Sequence, residues 1–431
     1  MIRDRRAILA LLTGLNFLNF IDRAVLAAVL PAITKDLGLS DSRGGLLNTA
    51  FLIGYFATCP LFGMRADKAA RKGLITIGVI VWSAATVASG LASGFWMLLA
   101  ARIVVGVGEA SYAVLAPTII DDLFPPERKG TALSTFYLAI PIGYALGYVL
   151  GGALAEHWDW RTAFLVVGAP GILLALSVLL IAEPPRKLLV AKAKIIEGLR
   201  ELVAIPQFRR TVLGYTAYTG ALAGFSIWAP TFLLRAFPDE LNLETANRYL
   251  GIVLASAGIV GTVIGGRYAN RSLSRHQVAP DEPYESRRNK LAVNSLLRTS
   301  AIAMALSAPL AAIGFFLPGA FAFFAVSFVV QICLFATTSP INTAVLRSVP
   351  EERRASAMAA SIFSIHLFGD LWSAYALGLL LQSLPLKIAM MSLPLTFAWS
   401  AYIWRPRARE ADGPSGTGSS AVPQARIHTP T

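Results

Sequence analysis

Apolar stretches of about 20 residues recur from one end of the chain to the other, separated by short polar segments. Such a stretch crosses a bilayer as an α-helix, which satisfies its own backbone hydrogen bonds in lipid. The alternation over about ten residues that is typical of a membrane β-barrel is not visible. The pattern predicts an all-α membrane protein with twelve transmembrane helices at 7–33, 44–65, 72–93, 95–120, 130–155, 161–182, 210–236, 247–269, 291–316, 319–346, 355–383 and 385–404.

The composition supports lipid as the solvent of this chain. Of the 431 residues, 55% are hydrophobic and 15% are charged. Soluble proteins carry about 25% charged residues. The deficit of charge therefore fits a chain that is mostly embedded in a membrane.

The net charge of +13 is distributed unevenly between alternate connecting segments. If the N-terminus is inside, the inner segments hold most of the lysines and arginines, which fits the positive-inside rule and leaves no reason to expect a nucleic-acid partner. The outer loops are short and lack glycosylation sequons. We expect a multi-pass protein of the cell inner membrane with both termini cytoplasmic. The outer loops keep only Lys35, Arg43, Arg161, Arg235, Arg248 and Lys387.

Cys59 and Cys333 both lie inside apolar stretches, so they predict neither a disulfide nor a metal site. We expect no metal and no cofactor. The basic and then apolar N-terminus resembles a signal peptide, but it is too long and carries Asp22 and Arg23 in its middle. It is interpreted as the first helix.

The connection after the sixth helix is longer than the others and divides the chain. We expect an N-terminal six-helix bundle over 1–182, a linker over 183–209, a C-terminal bundle over 210–405 and a disordered cytoplasmic tail over 406–431. Leu188–Val203 alternates leucine and isoleucine with lysine and glutamate, which predicts an amphipathic helix on the inner membrane face. A solvated linker is the alternative.

The two halves resemble each other in sequence. The segment ERKGTAL at 127–133 matches ERRASAM at 352–358, and both open a helix after a proline. A second match pairs GMRADK at 63–68 with GRYANR at 266–271. Internal repeats of this kind are typical of transporters that bind substrate between two halves near the bilayer midplane.

Ionisable residues inside membrane spans are costly and usually functional. The first helix carries Asp22 and Arg23, and the fourth carries Arg102 and Glu109, which are seven residues apart and share a face. Asp22 and Arg23 point about 100° apart and can serve different partners. We hypothesise that Glu109, Asp22 or both carry a coupling proton, and that Arg23 or Arg102 holds an anionic head group or the empty carboxylate. A static ion pair between the two helices is the alternative.

The C-terminal half carries fewer charges in its spans. Asp370 in the eleventh helix is either a functional acid, a helix cap or a partner of Arg298, and His366 beside it is a candidate for titration. Asn342 and Trp228 are candidate walls of a substrate cavity. In the fifth helix, glycines at 143, 147 and 151 predict a close helix neighbour.

The loop after the second helix, GMRADKAARK at 63–72, resembles the signature loop of the major facilitator superfamily, with Ala70 in place of its second glycine. This resemblance implies that Gly63, Asp67, Lys68 and Arg71 take part in gating. It also implies the major facilitator fold, in which two pseudo-symmetric six-helix bundles alternate in access.

Further motifs resemble the spinster-like branch of that superfamily: NFIDR at 19–23, RIVVGVGEASY at 102–112, PIGYALG at 141–147 and Gly369-Asp370. The resemblance implies a proton-coupled transporter of an amphipathic lipid such as a lysophospholipid or a sphingosine-1-phosphate-like molecule. It also makes Tyr112 a candidate substrate contact. Leu371-Trp372 departs from the pattern in the C-terminal half.

Two other functions fit the same sequence. One is an exporter or antiporter of small organic anions or drugs on the same fold. The other is a non-transporting receptor or a lipid scramblase, which would need no proton gradient. An enzyme is not expected, because no nucleophile elbow, metal cluster or phosphate loop occurs. The expected partners are the bilayer, an amphipathic substrate and protons, and the chain is expected to act as a monomer.

Overall fold

The computed structural model describes residues 1–66, 69–184, 195–279 and 281–405. The predicted C-terminal tail and the first part of the predicted amphipathic helix lie outside these ranges. Within these ranges, twelve helices are long and apolar enough to cross a membrane. They are α1 (Arg5–Asp36), α2 (Asp41–Arg65), α3 (Arg71–Gly90), α4 (Phe95–Leu123), α5 (Arg128–His157), α6 (Trp160–Leu179), α7 (Pro206–Ala236), α8 (Leu243–Arg275), α9 (Arg287–Gly314), α10 (Ala320–Arg347), α11 (Ser356–Ser383) and α12 (Leu386–Trp404).

Each predicted helix corresponds to one observed helix, so the all-α prediction is confirmed. The largest difference is α8, which extends beyond both predicted ends. Large apolar side chains stand exposed on the outer surface, among them Leu173 at 72% and Phe321 at 85%. A surface of this kind is suited to lipid rather than to water.

The helices form two bundles, α1–α6 and α7–α12. We call the end that carries Arg5 and Trp404 the terminal side and the other end the distal side. The close neighbour of α5 is α1: a Cβ atom at Gly147 would lie 2.6 Å from both the Cβ of Ala24 and the carbonyl oxygen of Ile21. The glycine spacing therefore permits a helix contact that a larger residue would block.

The two halves meet on the distal side, where α2 contacts α11 and α5 contacts α8. Arg235 in α7 binds Asp41 in α2 through both guanidinium nitrogens, at 2.8 and 2.6 Å. Ser42 donates to Gln382 at 2.8 Å, and Asn247 donates to the carbonyl oxygen of Ala28 at 3.1 Å. These contacts close the distal end of the space between the halves.

On the terminal side the halves separate. The helical segment Pro126–Tyr137, which runs into α5, packs against its own half. The segment Arg354–Ile365, which runs into α11, packs mainly against α7 and α10. Both helices are irregular where the separation begins: α5 breaks at Leu138, and α11 contains a π-helical turn over His366–Asp370. The central space therefore opens toward the terminal side.

A linker helix, Ile195–Ala204, docks on the terminal side of the C-terminal half. Leu202 is buried beside Phe208 and Val345, and Glu201 forms a 2.5 Å ion pair with Arg353. Leu202 on this helix is thus covered by protein, and contact of the rest of the helix with the membrane face stays a prediction.

Candidate substrate cavity and its ion pairs

Two ion pairs join α1 to α4 in the middle of the N-terminal half. Arg23 Nε lies 2.7 Å from Glu109 Oε2, and Arg102 Nη1 lies 3.5 Å from Asp22 Oδ1. Asp22 and Arg23 are consecutive, so their side chains point in different directions and reach two successive partners on one face of α4. The structure therefore brings together all four ionisable residues that the sequence singles out in these helices.

The Asp22–Arg102 pair is enclosed, with side chains 2% and 1% exposed. Thr86 donates to Asp22 Oδ2 at 2.5 Å, while Asp22 Oδ1 and the Nε and Nη1 atoms of Arg102 are buried without a hydrogen bond. The aromatic ring of Phe51 covers the guanidinium, 5.5 Å from its carbon. A separation of 3.5 Å is longer than a charge-assisted hydrogen bond, so this pair is held mainly by charge attraction in an apolar surrounding.

The Arg23–Glu109 pair lies at the edge of the central space. Glu109 is fully buried, whereas the side chain of Arg23 is 17% exposed. The rings of Phe20, Phe51 and Tyr55 surround the guanidinium at 5.1 to 5.2 Å. Glu109 Oε1 has no hydrogen-bond partner. Arg23 therefore stands between Glu109 and the space where an anionic ligand could approach.

The facing side of the C-terminal half carries His366 and Asp370. Their side chains form a 2.6 Å contact across the π-helical turn, with 34% and 14% exposure. The suggested pairing of Asp370 with Arg298 is wrong, because Arg298 lies exposed on α9 and the partner of Asp370 is His366.

Three further candidate contacts lie in different surroundings. Asn342 is half-buried on α10. Tyr112 is enclosed, and its hydroxyl donates to the carbonyl oxygen of Leu12. Trp228 is fully buried and donates to the carbonyl oxygen of Ala374 at 2.8 Å within the C-terminal half, beside Gly44 of the other half. In this conformation neither Tyr112 nor Trp228 is exposed to the central space, so the structure gives no support to their predicted substrate contact.

Several aromatic residues at the site escaped the sequence analysis. Phe51 contacts both arginines, with its ring centroid 5.1 Å from the guanidinium carbon of Arg23 and 5.5 Å from that of Arg102. Phe56 contacts both Phe363 and His366 across the boundary between α2 and α11, with ring centroids 6.4 and 5.7 Å apart. Aromatic residues occur in most of the spans, so only the helix packing distinguishes these from lipid-facing ones.

An apolar pocket lies inside the C-terminal half between α7, α9, α10 and α12. Its walls include the rings of Phe225, Phe315, Phe323 and Phe397. Gln331 also lines it, is 7% exposed and has an amide oxygen without a hydrogen bond. This pocket offers a mainly apolar environment in which Ser327 and Gln331 supply the polar groups.

The signature loop lies at the terminal side, and Asp67 and Lys68 are outside the described residues. A Cβ atom at Gly63 would meet nothing within 4 Å. Arg71 binds Asp122 at 2.7 Å and Glu183 at 3.1 Å, which ties α3 to the ends of α4 and α6. Arg71 thus stabilises the terminal end of the N-terminal half, and a gating role of this loop stays a prediction.

Comparison with known proteins agrees with this architecture. The sequence profile of the Major Facilitator Superfamily matches residues 12–372. Protein spinster homolog 1 of Homo sapiens is 32% identical over 395 residues, covering 86% of this chain and 72% of its own. A probable sphingolipid transporter, spinster homolog 2 of Arabidopsis thaliana, is 29% identical over 406 residues, covering 85% and 78% of the two chains.

A solved structure shows the same fold. It is a bacterial homolog of the human lysosomal transporter spinster in an inward-facing and unoccupied conformation, with a TM-score of 0.79 and 24% identity, covering 93% of this chain and 96% of that chain. Together, the two six-helix bundles and the matched profile define a major facilitator transporter, not an enzyme. Within this superfamily, the chain belongs to the spinster family.

Proposed function

We propose that this protein is a proton-coupled transporter of an amphipathic lipid with an anionic head group, such as a lysophospholipid or a sphingosine-1-phosphate-like molecule. The observation that carries the proposal is the position of Arg23. This arginine covers the buried Glu109 at 2.7 Å and is itself exposed to the central space. A ligand anion and Glu109 therefore compete for one guanidinium.

The competition gives a route to coupling. When an anionic head group binds Arg23, Glu109 loses its nearest counter-charge. A carboxylate enclosed in an apolar environment without a cation is unstable and takes up a proton. When the head group leaves, Arg23 returns to Glu109 and the proton is released. Asp22 is the less accessible acid, because its side chain is 2% exposed and already faces Arg102 and Thr86.

Two features support an apolar tail on the substrate. The rings of Phe20, Phe51 and Tyr55 surround the arginine that would hold the head group. A second apolar surface is the aromatic-lined pocket between α7, α9, α10 and α12 of the C-terminal half. A name given to a relative, probable sphingolipid transporter, agrees with a substrate of this chemistry.

The charge distribution supports an orientation with the terminal side in the cytoplasm. The terminal-side segments hold most of the lysines and arginines, as the positive-inside rule requires. In that orientation the described conformation is open to the cytoplasm and closed on the outside. Alternating access would require breaking distal contacts such as Asp41–Arg235. It would also require bringing the first parts of α5 and α11 together.

The proposal is tested in proteoliposomes by measuring uptake of a labelled lysophospholipid with and without a pH gradient. We expect the wild type to accumulate the lipid with the gradient. Glu109→Gln should lose at least ten-fold of the gradient-driven uptake while keeping lipid exchange at equal pH. Asp239→Asn is the matched control, since Asp239 is an exposed acid in the distal loop between α7 and α8.

The same assay separates the other functions. Lipid uptake that is equal in both directions and indifferent to pH would indicate a scramblase. Uptake of small carboxylates with no response to lysophospholipids would indicate an organic anion transporter. Full coupling in Glu109→Gln would refute the role given to that residue.

A further inference from the structure

A second candidate site lies on the distal side, separate from the central ion pairs. A pocket of about 260 Å³ is lined there by the ends of α1 and α7, and its polar walls are formed by Thr34, Lys35, Thr231 and Arg235. No carboxylate lines it within the described part of the chain. The walls come from both halves of the transporter, because α1 belongs to the first bundle and α7 to the second.

The charges around this pocket leave one cation available. Asp36 is held by Arg161 at 2.8 Å, and Asp41 is held by both guanidinium nitrogens of Arg235. Lys35 is exposed and forms no ion pair with any residue that the structure describes. The side chains that line the pocket therefore carry one positive charge, that of Lys35, without a paired acid among the described residues.

Thr231 provides an independent indication of a ligand. It lines the pocket, is 3% exposed, and its hydroxyl has no hydrogen-bond partner in the described part of the chain. Threonine in a helix commonly satisfies its hydroxyl on a preceding carbonyl, as Thr34 does with Leu30 at 3.0 Å. A buried hydroxyl without a partner is unfavourable, so a ligand that accepts its hydrogen bond would be stabilised there.

We infer that this distal pocket binds an anion of the phosphate class, held between the ammonium of Lys35 and the hydroxyl of Thr231. The ligand is either a free phosphate or the phosphate of a lipid head group. Because its two contacts belong to different halves, the anion binds best when α1 and α7 are close. Occupancy of the site therefore favours the conformation that is closed on the distal side.

The test is thermal unfolding of the purified protein titrated with inorganic phosphate, compared with chloride at equal ionic strength. We expect phosphate to raise the unfolding midpoint saturably in the wild type. Lys35→Gln and Thr231→Val should each weaken this binding by about ten-fold. Lys387→Gln is the matched control, because Lys387 is a distal lysine that does not line the pocket.

A pair of variants at one position separates binding from folding. Thr231→Ser keeps the hydroxyl and should keep the phosphate response, whereas Thr231→Val keeps the side-chain volume and should lose it. The inference would be overturned if phosphate and chloride had equal effects on the wild type and if neither glycerol phosphate nor lysophosphatidic acid gave a response that depends on Lys35 and Thr231. An undiminished response in Thr231→Val would also overturn it.

Two additional ligands identify the source of the anion. A response to inorganic phosphate or to glycerol phosphate that depends on Lys35 and Thr231 supports a site for soluble phosphate. If a response that depends on Lys35 and Thr231 appears only with lysophosphatidic acid, the ligand of the site is a lipid head group. The inference is independent of the proposed proton coupling, since Glu109→Gln should bind phosphate at the distal pocket as the wild type does.

Discussion

Arg23 and Glu109 form the shorter of two parallel ion pairs between α1 and α4, 2.7 Å against 3.5 Å for Arg102 and Asp22. Arg23 is also the only one of these four side chains with more than a few per cent of its surface exposed. Consecutive residues of α1 thus enter two different kinds of interaction, one accessible and one enclosed. We therefore expect substitutions of Arg23 to alter transport, and substitutions of Asp22 or Arg102 to alter stability first.

Two substitutions of Arg23 should distinguish what its charge contributes to head-group binding from what its planar shape contributes. Arg23→Gln should raise the KM for an anionic lysophospholipid at least ten-fold, because a charge-assisted hydrogen bond is lost. Arg23→Lys should recover part of this loss, since lysine keeps the charge but not the planar stacking on Phe51 and Tyr55. Uptake kinetics in proteoliposomes measure both effects. Arg43→Gln is the control, and an unchanged KM in Arg23→Gln would contradict the head-group contact.

Removing one member of the enclosed pair should destabilise the protein. Asp22→Asn leaves Arg102 without a counter-charge in an apolar environment, and Arg102→Gln does the same to Asp22. Each should lower the free energy of unfolding by about 3 kcal/mol. The double variant Asp22→Asn/Arg102→Gln should lose less free energy of unfolding than the sum of the two single losses, because neither charge is then left alone. Thermal and denaturant unfolding in detergent provide the comparison, and strictly additive losses would show that the two groups are not coupled.

Gly45 is expected to control closure of the distal side. A Cβ atom at this position would overlap the carbonyl oxygen of Ala374 in α11. Gly45→Ala should therefore separate α2 from α11 and shift the population toward the conformation that is open on the distal side. Distances between spin labels at Trp158 and Asp239, which lie in distal loops of the two halves, should lengthen.

The control for this experiment is Gly14→Ala, because a Cβ atom at Gly14 would meet nothing within 4 Å. Its label distances should equal those of the wild type. Unchanged distances in Gly45→Ala would show that the contact between α2 and α11 can yield without opening the distal side.

Glu183 should make the terminal side sensitive to acid. Burial by itself would raise the pKa of Glu183, but hydrogen bonds from the side chain and amide of Arg71 and the amide of Lys72 outweigh it and hold the pKa below its ordinary value of 4.5. The carboxylate therefore contributes its full stability above about pH 4.5, and this contribution is lost as the pH falls through the lowered pKa.

The difference in unfolding midpoint between the wild type and Glu183→Gln measures this contribution. We expect the free energy of unfolding of the variant to be about 1 kcal/mol lower than that of the wild type at pH 7. This difference should stay the same down to about pH 5 and disappear at lower pH. Glu352→Gln, an exposed acid on the same side, should show no such difference. A stability difference between the wild type and Glu183→Gln that persists at low pH would mean that Glu183 acts through packing rather than through its charge.

Some features of the site were accessible from the sequence. Placing a charge in lipid is costly, so the sequence alone marks Asp22, Arg23, Arg102 and Glu109 as candidates for function. Helical geometry also predicts that consecutive residues of α1 pair with different partners. Which acid pairs with which arginine depends on the register between α1 and α4, which the spacing along each helix leaves open. Likewise, the partner of Asp370 depends on a π-helical turn that cannot be predicted from the local sequence of α11.

The sequence by itself determined that this chain crosses a membrane twelve times, because lipid requires long apolar helices whose backbone groups are satisfied internally. It also revealed the two related halves and the family resemblance. Only the tertiary structure decided that Arg23 is accessible while Asp22 is enclosed, that the halves meet at Asp41 and Arg235, and that a pocket with Thr231 forms between α1 and α7. These properties depend on how helices distant along the chain pack together, and hydropathy carries no information about that packing.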